Sequence, residues 1–193
     1  AMIDPLLAGD HDVLEAGDAD DTLDGGGGSD TASYASASGE VQVDLGFGFA
    51  DEFDGSGTYQ STDTLVSIEN FLRSGFNDFV RGSAGDNVLT GGAGHDFMRG
   101  MDGNDVMVGG DDDDYLDGGQ GDDLLDGGAG WDRATFAPSA AAGVTVDLNI
   151  VGVAQDTGQG IDTLIGIEHV PGTAFDDVIV GDGGDNWLWG GSN

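Results

Sequence analysis

The sequence predicts an all-β fold, a parallel β-roll (a β-helix solenoid) of nonapeptide repeats with two non-repeat β insertions. Three observations support this prediction. A nine-residue unit repeats six times over residues 82–135, each unit carries an apolar residue or alanine at its eighth position, and no segment has the apolar spacing of an amphipathic helix. The units are GSAGDNVLT, GGAGHDFMR, GMDGNDVMV, GGDDDDYLD, GGQGDDLLD and GGAGWDRAT.

Each unit divides into a Gly-rich turn of six residues and a strand of three residues. Glycine reaches the positive φ angles that such a turn needs. The eighth side chain points inward because successive side chains of a strand alternate between its faces. Two units make a coil of eighteen residues, and successive coils stack as parallel strands in two facing sheets. One coil buries little surface, so stability requires the stack and a ligand that holds the turns.

The composition indicates that this ligand is a cation. The 193 residues include 38 Asp and Glu but only four Lys and Arg, which gives a formal net charge of −34. Repulsion between these charges opposes a compact state, while a disordered acidic tail would lack the periodic Leu, Met and Val. The charge excludes direct nucleic-acid binding. There is no cysteine for thiol chemistry and no apolar run that could form a transmembrane segment.

A carboxylate or amide occupies the sixth position of every unit. In the six-unit run these residues are Asn87, Asp96, Asp105, Asp114, Asp123 and Asp132. The same register outside this run gives Asp12, Asp21, Asp30, Asp78, Asp177 and Asn186. Stacked carboxylates repel one another unless a cation lies between them. Carboxylates and turn carbonyls suit Ca²⁺, whereas Mg²⁺ requires tighter geometry and Zn²⁺ prefers Cys or His.

Two insertions separate the repeat runs. The predicted segments are a first run at 1–33, an insertion at 34–74, the main run at 75–135, a second insertion at 136–174 and a last run at 175–193. The insertions share two motifs at an offset of 99–103 residues. Val-x-Val-x-Leu occurs at 41–45 and 144–148, and Asp-Thr-Leu-x-x-Ile-Glu occurs at 63–69 and 162–168. Each motif predicts a strand.

The pattern Gly-Gly-x-Gly-x-Asp-x-U-x, in which U is apolar, resembles the RTX (repeats-in-toxin) haemolysin-type calcium-binding nonapeptide repeat. The alternation of runs and insertions is similar to the RTX region of adenylate cyclase toxin and of large RTX adhesins. The resemblance implies a module of a larger secreted bacterial protein. Such a module passes the type I secretion apparatus unfolded and folds outside the cell on several Ca²⁺ ions.

The resemblance also implies a ligand set for each ion, which lies between two turns eighteen residues apart. The first turn supplies the carbonyls of positions two and four, the second supplies those of positions one and three, and both supply the sixth side chain. We name each predicted site by its two sixth-position residues. The Asp96–Asp114 site uses Gly92, Gly94 and Asp96 with Gly109, Asp111 and Asp114. The Asp114–Asp132 site uses Gly110, Asp112 and Asp114 with Gly127, Ala129 and Asp132.

Four further sites follow from the same rule. The Asp105–Asp123 site uses Met101, Gly103 and Asp105 with Gly118, Gln120 and Asp123. The Asn87–Asp105 site uses Ser83, Gly85 and Asn87 with Gly100, Asp102 and Asp105, and the Asp78–Asp96 site uses Ser74, Phe76 and Asp78 with Gly91, Ala93 and Asp96. The Asp12–Asp30 site uses Ala8, Asp10 and Asp12 with Gly25, Gly27 and Asp30.

Departures from the pattern predict that these sites differ in their strength of calcium binding. Asn87 and Asn186 carry a neutral amide, so their sites are expected to be weaker. Met101 and Asp112 replace glycines but would bind through the backbone. Asp21 and Asp177 lack a clear partner eighteen residues away.

An outward column of aromatic residues is not explained by metal binding. Phe79, Phe97 and Tyr115 occupy seventh positions in successive coils, and we call them the aromatic column. Arg81 and Arg99 flank the column at ninth positions. Such a face can bind a glycan or a neighbouring domain. The alternative, which we expect, is that an insertion covers the column and that the arginines pair with local carboxylates.

The sequence contains no catalytic motif of the common hydrolase, metalloprotease or nucleotide-binding types, so we expect no enzyme activity. Alternatives to a plain calcium-binding module are a carbohydrate- or surface-binding adhesin or epimerase repeat, and the C-terminal module of a secreted protease or lipase. We expect the chain to be a monomer.

Overall fold

The computed structural model describes residues 9–136 and 142–191, and all regular secondary structure in these ranges is β. The strands are β1 (Val13–Glu15), β2 (Thr22–Asp24), β3 (Thr31–Ser33), β4 (Val41–Asp44), β5 (Phe49–Phe53), β6 (Tyr59–Val66), β7 (Asn70–Ser74), β8 (Phe79–Arg81), β9 (Val88–Ala93), β10 (Phe97–Asp102), β11 (Val106–Asp111), β12 (Tyr115–Gln120), β13 (Leu124–Ala129), β14 (Arg133–Ala134), β15 (Thr145–Asp147), β16 (Gln155–Asp156), β17 (Ile161–Ile165), β18 (His169–Pro171), β19 (Val178–Val180) and β20 (Trp187–Trp189). Within these ranges no helix is long and apolar enough to cross a membrane.

Consecutive repeat strands alternate between two large sheets. One sheet has the order β1-β3-β7-β9-β11-β13-β17-β16, and the other has the order β2-β6-β5-β4-β8-β10-β12-β14-β18-β20. Strands of the main run pair in parallel with a shift of eighteen residues, as in Phe97 with Tyr115 and Val106 with Leu124. The predicted all-β parallel roll with an eighteen-residue coil is therefore confirmed.

The core of the main run consists of two facing columns of eighth-position residues. Leu89, Met107 and Leu125 follow one another in the first sheet, and Met98 and Leu116 lie in the second. All five side chains are fully buried. Full burial of such a side chain contributes about 1.5–3 kcal/mol. Since each coil adds only two such residues, the core grows slowly along the roll.

The strands of the main run are longer than predicted. Each of β9 to β13 has six residues, because pairing continues through the first three positions of the next unit. Met101 pairs with Gly119 and Asp102 pairs with Gln120, for example. The expected division into a six-residue turn and a three-residue strand was therefore wrong. Most glycines of positions two and four still have positive φ, with +113° at Gly92 and +112° at Gly94.

Most strands of the insertions extend the two large sheets. In the first insertion β4, β5 and β6 form an antiparallel meander that lies between β2 and β8. In the second insertion β17 pairs with β13, β16 pairs with β17, and β15 pairs with β19 in a separate two-stranded sheet. The Val-x-Val motifs thus form strands β4 and β15, as predicted.

The Asp-Thr-Leu-x-x-Ile-Glu motif does not form one strand, so that prediction was wrong. β6 ends at Val66, the chain turns at Ser67 with a φ of +50°, and β7 begins at Asn70. β17, Gly166 with a φ of +56°, and β18 repeat this arrangement. We call residues 67–69 and 166–168 the short turns. Leu65 and Phe71, on either side of the short turn 67–69, lie in opposite sheets. They are six residues apart, whereas equivalent residues of successive repeat units are nine apart.

Candidate calcium-binding turns

The sixth-position carboxylates form a hydrogen-bonded column along each edge of the roll. The backbone N–H of each residue donates to Oδ1 of the residue eighteen positions later. These N···O distances are 2.7 Å for Asp78 to Asp96 and 2.8 Å for Asp96 to Asp114, Asp114 to Asp132, Asn87 to Asp105 and Asp105 to Asp123. When the acceptors are ionised, these bonds are stronger than neutral ones. They fix the register between turns.

The second oxygen, Oδ2, of several of these carboxylates has no hydrogen-bond donor that would stabilise its negative charge. Oδ2 of Asp96, Asp105 and Asp114 is buried and accepts no hydrogen bond from the described residues. The same holds for Oδ2 of Asp30 and Asp132. These five residues are at most 3% exposed. Burying an unpaired carboxylate is very costly, so these oxygens fit a site for a cation.

The first-position glycines leave room for such a cation. A Cβ on Gly91 would lie 2.1 Å from Oδ2 of Asp96 and 2.9 Å from the carbonyl oxygen of Gly109, in the following turn. A Cβ on Gly109 would lie 2.2 Å from Oδ2 of Asp114 and 2.7 Å from the carbonyl oxygen of Gly127. A carboxylate and a carbonyl from stacked turns thus share a space that any side chain would fill. These hard oxygen donors match the preference of Ca²⁺.

This geometry recurs at a third predicted site. A Cβ on Gly100 would lie 2.0 Å from Oδ2 of Asp105 and 2.5 Å from the carbonyl oxygen of Gly118. The Asp96–Asp114, Asp114–Asp132 and Asp105–Asp123 sites therefore share one arrangement. The sequence suggested glycine here for turn conformation, yet among the described residues no first-position glycine of a repeat has a positive φ. Position one needs glycine for space.

The structure also stacks the other residues with predicted carbonyl ligands in pairs eighteen residues apart, as expected. Ser74 pairs with Gly92 in the sheet. A Cβ added to Gly94, Gly103 or Gly28 would contact the backbone of Phe76, Gly85 or Asp10, respectively. In the main run the stacked pairs include Gly92 with Gly110, Ala93 with Asp111, Gly110 with Gly128 and Asp111 with Ala129. Met101 and Asp112 adopt φ angles of +94° and +73°, each of which costs about 1–2 kcal/mol without glycine.

Three predicted sites differ in the surroundings of a sixth-position side chain: protein donors occupy an oxygen in two of them, and the third is partly exposed. Oδ2 of Asp78 accepts a hydrogen bond from the N–H of Ser74 at 3.0 Å. Oδ1 of Asn87 accepts one from the N–H of Ser83 at 2.7 Å. Asp12 is only half-buried, although its N–H donates to Oδ1 of Asp30 at 2.8 Å. Ala8 of that last site lies outside the described residues.

Within the described ranges, no three Asp, Glu or His side chains converge on one point as they do in a side-chain metal cluster. The candidate sites instead bring a carboxylate oxygen together with a backbone carbonyl oxygen of the following turn. The full ligand sets that the sequence resemblance implies stay a prediction.

Comparison with known families decides the identity of the repeats. The pattern of the RTX calcium-binding nonapeptide repeat matches residues 8–32, 74–107, 99–134 and 171–193, which together cover more than half of the chain. The chain belongs to the RTX calcium-binding nonapeptide repeat family. RTX repeats bind Ca²⁺ at multiple sites, and Ca²⁺ is the metal of this chain. No curated protein matches the chain significantly.

The insertions continue the carboxylate column of the RTX repeats, which the sequence did not reveal. The N–H of Asp21 donates to Oδ1 of Asp63 at 2.8 Å, forty-two residues away. The N–H of Asp123 donates to Oδ1 of Asp162 at 2.9 Å. Asp21, for which the sequence offered no clear partner eighteen residues away, thus has one farther along the chain, because the insertion lengthens the separation. The Asp-x-Leu spacing within each shared motif matches positions six and eight and could have indicated this.

The carboxylate of Asp177 is also hydrogen-bonded, and its partners lie in the second insertion. Its Oδ1 accepts a hydrogen bond from the N–H of Val144 at 2.9 Å, and its Oδ2 accepts one from the N–H of Thr173 at 2.9 Å. These contacts reproduce those of Asp78 with Val41 and Ser74. The carboxylate of Asp177 is thus satisfied by protein donors.

The described residues of the insertions do not bury the aromatic column of the RTX roll, so that expectation was wrong. The ring centroids of Phe79 and Phe97 are 5.0 Å apart, and those of Phe97 and Tyr115 are 4.2 Å apart. Phe79 is 44% exposed. The described insertion strands that join this sheet lie beside the column within the sheet, and Phe97 and Tyr115 are half-buried. The expected arginine pairing is present, from Arg81 to Asp44 at 2.8 Å and from Arg99 to Asp117 at 2.9 Å.

Burial raises the pKa of six column carboxylates, those of Asp78, Asp96, Asp105, Asp114, Asp123 and Asp132, in the calcium-free RTX fold. Desolvation is the main cause, and charges of stacked neighbours add to it for most of them. The pKa rises from 3.8 to about 8 for Asp96 and to about 7 for Asp105 and Asp114. For Asp78, Asp123 and Asp132 it rises to about 6.

The pKa shifts predict that acid favours the metal-free fold. Since the folded pKa lies above the unfolded value of about 3.9, the folded chain binds more protons between about pH 4 and 8. Stability in chelator therefore rises as the pH falls from 8 to 5. Circular dichroism with excess chelator would follow this as a gain of β structure. A fold that becomes less ordered towards pH 5 would contradict the prediction.

Gly109→Ala tests the space at position one. The added Cβ enters the space beside Oδ2 of Asp114 without requiring a positive φ, so it blocks the Asp114–Asp132 site. We expect the calcium concentration at the folding midpoint to rise about tenfold, equivalent to about 1.4 kcal/mol. Gly75→Ala is the matched control, because a Cβ there meets no atom within 4 Å. Equal midpoints in both variants would show that position one does not shape the site.

Proposed function

We propose that the chain is a calcium-triggered folding module of a larger secreted bacterial protein. The supporting observation is the set of five buried carboxylate oxygens without a hydrogen-bond donor among the described residues. A fold that contains them pays a large desolvation penalty until cations bind. Because the stacked turns exist only in the folded chain, the free energy of calcium binding becomes free energy of folding.

The net charge supports the same proposal. Each Ca²⁺ ion offsets two of the 34 net negative charges, so six ions would offset about twelve. Without them the chain combines strong self-repulsion with a core of only two side chains per coil. We propose that the metal-free chain is largely disordered at neutral pH.

This behaviour suits export in an unfolded state. RTX proteins typically use type I secretion, and a chain that folds only at extracellular calcium levels stays extended in the cytosol. Extracellular calcium modules bind with dissociation constants of about 10⁻⁴–10⁻³ M. We propose the same range for this chain, with the five sequence segments as its units and the six predicted sites as its ligand sets.

We assign the chain a structural role without catalysis. Its carboxylates are committed to the column that joins the turns, and RTX repeats serve as calcium-binding scaffolds. The toxin, adhesin, protease or lipase activity of a parent protein would belong to other domains, whose folding this module would support.

A calcium titration tests the proposed function. In excess chelator at pH 7.5 we expect the far-ultraviolet circular dichroism of a disordered chain, and β structure at about 10⁻⁴–10⁻³ M calcium. Magnesium at the same concentrations is the control and should not induce the fold, because Mg²⁺ requires stricter geometry. Full β structure in excess chelator would contradict the proposal.

A second candidate function is glycan or surface binding by the open aromatic column. The exposure of Phe79 favours it, while the ring stacking leaves only edges for contact. The double variant Phe97→Ser, Arg99→Ser would then lose binding on a glycan array in calcium while keeping its calcium-induced fold. Val106→Ser with Val108→Ser on the opposite sheet is the control and should bind normally. If both double variants bind like the unmodified chain, the column has no such role.

A further inference from the structure

We propose two additional calcium sites, each located where a nonapeptide turn meets a short turn of an insertion. The first junction site joins Asp30 to the short turn 67–69, and the second joins Asp132 to the short turn 166–168. Neither site follows from the eighteen-residue rule, because the second turn belongs to an insertion. The inference rests on the proposed calcium-binding role of the stacked turns.

The first argument is the burial of the two aspartates. Asp30 and Asp132 are 0% exposed, and Oδ2 of each accepts no hydrogen bond from the described residues. Elsewhere in the column an unpartnered Oδ2 lies beside the carbonyl of the following turn, as Asp96 does with Gly109. For Asp30 and Asp132 the following turn is the short turn. Their unbalanced oxygens therefore point to the junctions.

The second argument is the shape of the space at each junction. A Cβ on Gly25 would lie 2.6 Å from Oδ2 of Asp30 and 2.4 Å from the carbonyl oxygen of Ser67. A Cβ on Gly127 would lie 2.7 Å from Cγ of Asp132 and 2.2 Å from the carbonyl oxygen of Gly166. The first-position glycine, the buried carboxylate and the facing carbonyl thus recur as in the Asp96–Asp114 site. The same arrangement occurs at the first and at the second insertion, which shows that it is a feature of the insertions.

The third argument is a second carboxylate at each junction. The N–H of Asp30 donates to Oε2 of Glu69 at 2.8 Å, and the N–H of Asp132 donates to Oε2 of Glu168 at 3.0 Å. Glu69 and Glu168 therefore take the place of a sixth-position aspartate. Each junction then offers two carboxylates and at least one carbonyl, an all-oxygen set that suits Ca²⁺.

The opposite edge of the roll provides an internal contrast. Asp63 and Asp162 also accept the column hydrogen bond, but their second oxygens have protein donors. Oδ2 of Asp63 accepts from the hydroxyl of Tyr34 at 2.9 Å, and Oδ2 of Asp162 accepts from the hydroxyl of Thr157. These hydroxyl groups satisfy the oxygens that a cation would otherwise balance. The junction sites are therefore confined to the edge with the short turns.

The junction sites give calcium a specific task, which is to fasten each insertion to the end of the preceding repeat run. Without an ion, Asp30 and Glu69 repel each other across the first junction, as do Asp132 and Glu168 across the second. With an ion, the short turn becomes part of the calcium-bound edge. Folding of the insertions thereby becomes calcium-dependent, although they contain no nonapeptide turns of their own.

Glu69→Gln and Glu168→Gln test this inference, because both residues lie outside the six predicted nonapeptide sites. Glutamine keeps an oxygen that accepts the column bond but removes the charge. Native mass spectrometry in calcium should show one fewer bound ion for each substitution and two fewer for the double variant. Glu15→Gln is the matched control, since it makes the same charge change on an exposed strand residue. Its ion count should equal that of the unmodified chain.

The outcomes separate this inference from the proposed function. An unmodified chain that neither binds calcium nor folds with it would overturn both. Calcium-induced folding with equal ion counts in the unmodified chain and the double variant would overturn the junction sites alone. If the double variant fails to fold, anomalous scattering from crystals of the unmodified chain with calcium decides. Peaks about 2.3–2.6 Å from the carbonyls of Ser67 and Gly166 support the sites, and their absence refutes them.

Discussion

A buried carboxylate without a hydrogen-bond donor on one oxygen must have its charge neutralised, by a cation or by a proton, and this constraint governs the edges of the roll. One oxygen of each sixth-position aspartate of the main run accepts the N–H of the preceding coil, which sets the register. In Asp96, Asp105 and Asp114 the other oxygen faces a space next to a carbonyl of the following turn. The same side chain therefore aligns two coils and offers a ligand between them.

The thin core makes the edges and the interior depend on each other. Each coil contributes two interior residues, such as Met98 and Met107, which are buried only when neighbouring coils are present. Neighbouring coils stack only if their carboxylates are neutralised. The insertions obey the same constraint, since Asp63 and Glu69 continue the column where the nine-residue period is lost.

The nine-residue period was enough to predict the coil, the facing sheets, the interior column and the pairing of turns in the main run, because each of these repeats one local geometry. It could not predict contacts that depend on the length of an insertion. Asp21 meets Asp63 and Asp123 meets Asp162 across separations of 42 and 39 residues, which no fixed period contains. The open aromatic column was also missed, because alternation shows that Phe79 points outward but not what lies above it.

The second position of the turn separates carboxylates that need calcium from those that the protein satisfies. Where this position is Ser74 or Thr173, its N–H and hydroxyl both donate to the aspartate four residues later, so Asp78 and Asp177 have donors on both oxygens. Both turns begin a repeat run directly after an insertion. Where the position is glycine, as at Gly110, Asp114 keeps an unpartnered oxygen among the described residues. The demand for calcium is therefore concentrated in the interior of the main run and at the junctions where a run ends, while the turns that restart a run are held by the chain itself.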